Sequence, residues 1–309
     1  MTATLEKHLE ILRGRISLWL LRLRFLRRRL LSPNDTCTFR CNICGNWCTS
    51  PLSEVKGRES RSCYHCGSNR RFRTIILALS EQLFNKVDIL PHFKESKSIV
   101  GIGMSDTKIY ARPLRNKFSY TNTYYHKEPK LDVMAISEDM YDTADFVIST
   151  DVFEHVPLPV GAAFSNLYKI LKVGGVCIFS VPYRMEGVTI EHFPELFRYK
   201  LIERKGAVVL ANTTRDGRDQ LFDNLRFHGG GGATLEMRVF SKSSLLSEIK
   251  KAGFREVKLY DECIPEYGVM IEDATPSLVI SMRKTADPSF PPEEGMDGGN
   301  GQGSIEETQ

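Results

Sequence analysis

From Ser98 onward, short apolar runs alternate with stretches of helical spacing, a pattern that predicts a parallel sheet with crossover helices. Strands are expected at about 98–102, 118–122, 131–134, 145–149, 175–181, 255–261 and 276–283, and helices at about 159–171 and 242–252. Upstream, Ile75, Ile76, Leu79 and Leu83 share one face of a helical connector over 74–93. Residues 36–73 have few large aliphatics, so this piece needs a staple in place of a core. Residues 5–31 interleave Leu, Ile, Trp19 and Phe25 with seven arginines and stop before Pro33, which predicts a basic amphipathic helix. Residues 285–309 carry six acidic groups, no Lys or Arg, and abundant Gly and Pro, the composition of a disordered tail. The expected division is a basic helix (1–35), a small stapled module (36–73), an α/β domain (74–284) and the acidic tail (285–309).

Charge changes this picture in one place. The chain of 309 residues has a formal net charge of +4, yet residues 1–31 hold one Lys and seven Arg against two Glu, so the remainder is slightly acidic. A broad nucleic-acid footprint, which needs cations spread over a face, is not expected. Arginine at every few positions also argues against residues 5–31 spanning a bilayer. Such a helix suits an anionic membrane surface, or packing against its own body or a partner protein, and both readings stay open. Arg22 and Arg24 interrupt the early apolar stretch and no small-residue cleavage site follows, so a cytoplasmic location is expected, peripheral at the inner membrane face if the helix meets lipid.

Six of the eight cysteines fall between Cys37 and Cys66, a clustering that points to metal ligation in a reducing compartment. Cys41-Asn-Ile-Cys44 and Cys63-Tyr-His-Cys66 are two CxxC knuckles, each followed by Gly, and four thiolates at this spacing make a zinc ribbon. Cys37, Cys48 and His65 are surplus donors, read as bystanders. The ribbon is expected to be structural or to dock a protein partner.

Ala144 to Arg184 carries the densest information: a buried strand ending at Asp151, a helix, a Gly174-Gly175 turn, and a second buried strand ending at Pro182. Ligands in open α/β sheets sit outside the carboxyl ends of strands, so Asp151, Glu154, His155 and the Pro182-Tyr183 edge are expected around one cleft. Here the chain resembles the type 11 group of class I S-adenosylmethionine-dependent methyltransferases. The resemblance runs through Asp151–Val156, where the family has an acid, two hydrophobic residues and Glu-His-Val, and through Ile170–Gly175, with Val173 where Pro is usual. It implies a Rossmann-like seven-stranded sheet with helices on both faces and S-adenosylmethionine at the end of the first strand. The family's first glycine motif aligns with Gly101-Ile102-Gly103-Met104-Ser105-Asp106-Thr107, in which only Gly103 stands at a family glycine. The cofactor-binding candidates are Gly101, Gly103, Ser105, Asp106 and Asp151, with Asn122 and Thr123 where the family's ribose-binding acid would fall.

Between 183 and 240, Glu191-His192-Phe193, Asp216-Gly217-Arg218 and the run Phe227-His228-Gly229-Gly230-Gly231-Gly232 are polar, loop-prone pieces on the substrate side. Deprotonating a poorly acidic acceptor needs a base, for which His192, His228 and His155 are the candidates, assisted by Glu191 or Asp151. Three functions follow as expectations. The first is O-methylation of a saccharide or glycan precursor near the membrane, the glycan resting on a resemblance to ribbon-bearing methyltransferases of cell-surface glycan pathways. The second is methyl transfer to another small molecule or to a macromolecule, and the third a non-catalytic zinc-ribbon adaptor with a degenerate methyltransferase domain.

Overall fold

The computed structural model describes residues 16, 18–20, 22–23, 26–27, 35–204, 206–228, 234–272 and 277–286. The described positions between 16 and 27 are helical; the rest of the expected basic helix, the glycine run at 229–232 and nearly all of the acidic tail lie outside the described residues. No helix among the described residues is long and apolar enough to cross a membrane.

The cysteine-rich module is a hairpin of β1 (Thr36–Arg40) and β2 (Trp47–Pro51) followed by a short helix α1 (Leu52–Lys56). Helix α2 (Arg70–Phe84) leaves the second knuckle; Asn69 caps it by accepting from the Phe72 amide, and Asn85 ends it in the left-handed region. The main sheet then begins with β3 (Ser96–Met104), helix α3 (Lys108–Lys117) and β4 (Phe118–Thr123). It continues with β5 (Ala144–Thr150), α4 (Val160–Ile170) and β6 (Leu171–Ser180). An insertion follows: β7 (Tyr183–Arg184), β8 (Ile190–Glu191), β9 (Arg198–Arg204), β10 (Ala207–Thr213), β11 (Asp219–Phe222), β12 (Phe227–His228), β13 (Thr234–Leu235) and β14 (Arg238–Ser241). The chain closes with α5 (Lys242–Lys251), β15 (Arg255–Tyr260) and β16 (Val279–Arg283).

The main sheet has the order β15-β16-β6-β5-β3-β4. Strands β4, β3, β5 and β6 are parallel, and β16 runs antiparallel to both of its neighbours. Alternation assigns the two faces: Phe146 and Ile148 of β5 join one cluster and Val147 the other. Residues of α2 and α3 fill the first cluster and those of α4 and α5 the second, so helices cover both faces. The first cluster also contains Phe39, Cys41, Ile43 and Val55, which makes the cysteine-rich module continuous with the sheet's core.

The doubly wound α/β class agrees with the expectation, but the main sheet holds six strands among the described residues where seven were expected. The missing one is at 131–134. Leu131 and Val133 are buried as a strand's inner face would be, yet Asp132 accepts the Met134 amide on its carboxylate and the Ala135 amide on its carbonyl. This local turn satisfies the backbone and displaces a ladder. Helix α3 has no counterpart in the sequence reading, because Pro113 and its many basic residues mask a short apolar face of Tyr110, Ala111 and Leu114. Around the polar pieces that follow β6, strands β9, β10 and β11 form an antiparallel sheet, and Asp216-Gly217-Arg218 is the turn between β10 and β11, with Gly217 at φ 86°. Phe193, Leu210, Leu235 and Met237 give this insertion its own small core.

Gly101 shows why β3 is glycine-rich. A Cβ there would lie 2.1 Å from the Phe146 ring, which stacks on Tyr120 at 6.0 Å and fills the space. Gly101→Ala is expected to lower stability by about 1–3 kcal/mol through overpacking, read as a shifted urea midpoint with unchanged slope.

Candidate functional site

The sheet's switch point lies between β3 and β5, since the chain leaves β3 toward β4 and returns across it to β5. At the carboxyl end of β3, Ser105 adopts a left-handed conformation (φ 60°) and its amide donates to the Thr123 carbonyl at 2.8 Å. Asp106 and Asn122 bond reciprocally: the Asp106 amide donates to Asn122 Oδ1 at 2.9 Å, and Asn122 Nδ2 donates to the Asp106 carbonyl at 2.8 Å. Thr123 donates its hydroxyl to the Gly103 carbonyl. The Asp106 carboxylate accepts from Tyr110 at 2.7 Å and from Tyr120. Of the candidate cofactor residues, Gly103, Ser105, Asp106, Asn122 and Thr123 therefore come together, with Ser105 exposed and Asp106, Asn122 and Thr123 buried and bonded to their neighbours. Tyr120 and Asp106 occupy the space left by Gly103. Gly101 lies lower in the strand, against Phe146.

Asp151 stands at the end of β5, also left-handed (φ 54°), with its amide bonded to the Ser180 carbonyl. Two arginines from outside the α/β domain reach it. Arg58 Nη2 lies 2.7 Å from Oδ1 and Arg71 Nη1 3.4 Å from Oδ2, while Glu59 braces Arg71 through two bonds of 2.7 and 3.0 Å. Sequence reasoning missed this pair. Its one available signal was the density of Arg beside the knuckles, which says nothing about direction. Arg58 and Arg71 also line a small cleft with Arg70, Tyr260 and Leu278. Because β16 runs antiparallel, Leu278 at its start lies on the same carboxyl edge as Ser180.

The three candidate bases converge on the insertion's side of this edge. Glu154 and His155 share the 3-10 turn Phe153–His155 just beyond Asp151. His192 Nε2 donates to Glu236 Oε1 at 2.8 Å, His228 Nε2 to Glu236 Oε2 at 2.7 Å, and His155 Nδ1 to the Leu235 carbonyl at 2.8 Å. The Glu154 carboxylate, with Glu236 behind it, holds the His228 imidazole above its ordinary pKa. Arg238, fully buried, donates to Glu191 and to the carbonyls of Phe153 and Val156, which pins the turn to the insertion.

Across the ribbon, the sulfurs of Cys41 and Cys66 are 3.7 Å apart, as are those of Cys44 and Cys63, and all four lie within 4.8 Å of one another. Thiolates at about 2.3 Å from a tetrahedral zinc stand about 3.8 Å apart, so the four sulfurs fit the ion. Crowding drives their titrations apart: Cys41 is held low, while Cys44 and Cys66 are pushed up and Cys63 is raised to about 12, chiefly by bonding to Cys41. Four thiols so placed cannot all ionise without a cation. Cys48 Sγ also lies 3.7 Å from Cys63, outside the four-sulfur group, and His65 Nε2 bonds the Trp47 carbonyl.

No protein-family model matches the chain, and no curated protein matches it. Similar solved structures are S-adenosylmethionine-dependent methyltransferases. One is the Burkholderia thailandensis 1,6-didemethyltoxoflavin-N1-methyltransferase with 1,6-didemethyltoxoflavin and S-adenosylhomocysteine bound, at 12% identity over 69% of this chain and 78% of that one, with a TM-score of 0.37. A second, from Clostridium acetobutylicum, is 12% identical over 71% and 93%, with a TM-score of 0.41. A third, from Mesorhizobium loti, is 15% identical over 60% and 90%, with a TM-score of 0.33.

Two outcomes check this geometry. Burial raises the Asp106 carboxyl from 3.8 to about 7 despite its tyrosine donors, so the folded state keeps a proton that the unfolded chain has lost. Stability at this site is therefore highest below pH 4 and falls as pH rises toward 7; Asp106→Asn should remove that decline, read as the difference between wild-type and variant urea midpoints across pH 4–8. Cys41→Ser with Cys63→Ser should release bound zinc and unfold the module, followed by metal content and near-ultraviolet dichroism.

Proposed function

We propose that the chain is an S-adenosylmethionine-dependent methyltransferase acting on a hydroxyl of a saccharide or glycan precursor. The observation that carries this reading is the Asp151–Arg58–Arg71 cluster beside the Ser105 turn, at the switch point of a doubly wound sheet. The amino-acid end of the cofactor is zwitterionic. Asp151 suits its ammonium and the two guanidiniums suit its carboxylate. Among the described residues no carboxylate stands at the end of β4 for the ribose; Ser105 and Tyr124, whose hydroxyl accepts from Asn122, are polar groups at that edge. When bound, the cofactor supplies a methyl group on a sulfonium, open to direct displacement.

The chain's own task is then alignment and removal of the acceptor's proton. His192 and His228, both oriented by Glu236, and His155 next to Glu154 stand on the insertion's side of the edge, where an acceptor would approach. The saccharide is favoured by the resemblance to ribbon-bearing glycan methyltransferases. A membrane surface is favoured by the seven arginines of residues 5–31. The four-cysteine cluster would hold zinc as the staple of its module.

A second reading has a specific observation in its favour. Tyr120 and Asp106 fill the space at Gly103, and Asn122 and Thr123 turn inward, as suits a binding scaffold that has lost catalysis. Calorimetry of the full chain with S-adenosylmethionine and S-adenosylhomocysteine separates the two: saturable heat is expected for the enzyme and none for the adaptor. Arg58→Ala should weaken binding about 10- to 100-fold, the worth of a charge-assisted hydrogen bond.

A further inference from the structure

We infer that Glu154, His155 and His228 form a binding site for a divalent transition-metal ion, separate from the four-cysteine cluster. One donor atom from each lies within 4.8 Å of the others. Glu154 is fully buried, and among the described residues neither of its carboxylate oxygens has a hydrogen-bond partner. A carboxylate removed from water and bonded to nothing is costly unless a cation meets it.

Two imidazole nitrogens face that carboxylate without reaching it. His155 Nε2 is 3.8 Å and His228 Nδ1 3.6 Å from Glu154 Oε1. Both distances are too long for hydrogen bonds. They fall within the span of about 4.2 Å open to two donors that each sit about 2.1 Å from one ion.

The remaining nitrogens fix the tautomers. His155 Nδ1 meets the Leu235 carbonyl and His228 Nε2 meets a Glu236 oxygen. These oxygens accept, so both nitrogens carry protons, and the other nitrogen of each ring is the one that faces Glu154. A carboxylate or carbonyl behind a ligating imidazole is the arrangement that orients metal-binding histidines. Glu236 is itself held by His192, and Arg238 clamps the turn that carries Glu154 and His155. The frame is rigid.

Two imidazoles and one carboxylate, with no thiolate, suit iron(II), cobalt(II), manganese(II) or zinc(II), and three protein ligands leave coordination positions open to an outside oxygen. The site stands independently of the methyl-transfer reading. Under that reading His155 and His228 would be ligands and not bases, which leaves His192 as the base, and an open position on the ion is where an acceptor oxygen would become more acidic.

The test uses the full chain with its ribbon metal in place, saturated with cobalt(II) and then freed of excess. Two equivalents of total divalent metal per chain are expected, the second without thiolate-to-cobalt charge-transfer absorption. Glu154→Gln and His228→Ala should each reduce this to one equivalent while the ribbon metal and the folded circular dichroism spectrum are retained; if the buried Glu154 variant fails to fold, the more exposed His228 variant decides. Glu236→Gln should weaken the second site about 10- to 100-fold. A single equivalent in the wild type, or two equivalents persisting in the folded His228 variant, would overturn the proposal.

Discussion

A fully buried guanidinium holds this molecule together. Arg73 has no exposed surface; it donates to the Ser62 and Ser68 hydroxyls and to the Ser68 and Gly268 carbonyls, and it lies 4.6 Å from the Phe39 ring centre. Burial disfavours its charge and holds its pKa below the ordinary value, and the neighbouring cysteines, Cys41 first, offset part of that cost. The cysteine cluster and the arginine therefore need each other: one concentrates negative charge out of water and the other answers it. Breaking such a buried pairing from one side typically costs about 3–5 kcal/mol.

The rest of the amino-terminal architecture follows from that contact. Arg73 fixes the register of α2, and one helix then delivers neighbours to different duties. Arg70 donates to the Met270 carbonyl between β15 and β16, while Arg71 reaches Asp151. With Arg58 beside it, the stapled module supplies cations to the carboxyl edge of a sheet it does not belong to. A module too small for a core of its own thus gains one by sharing the sheet's.

At the other end of the edge, the insertion between β6 and α5 plays the matching part. Its strands bring Glu236 and His228 to Glu154 and His155, and Arg238 ties the two pieces with bonds to main-chain carbonyls. Histidines separated by up to 73 positions in the chain come to lie around two carboxylates. The two groups differ in their cations: guanidiniums meet Asp151, and imidazoles meet Glu236.

Local pattern made the frame legible. Alternation and apolar runs located β4, β5, β6, α4 and α5 to within a few residues, and the knuckle spacing picked out the four sulfurs that converge, because both signals are carried by residues close in sequence. The strand at 131–134 and the helix α3 were misread because a side-chain turn at Asp132 and a proline at 113 compete with the pattern on equal terms. The histidines could be named as candidates, but not as neighbours. By itself the sequence determined which residues could bear charge, ligate or bend. Only the tertiary structure decided that Arg58 meets Asp151 across 93 positions, that Asp106 and Asn122 bond each other, and that Glu154 is left bare between two imidazoles. These are long-range outcomes of packing, and no short stretch of chain encodes them.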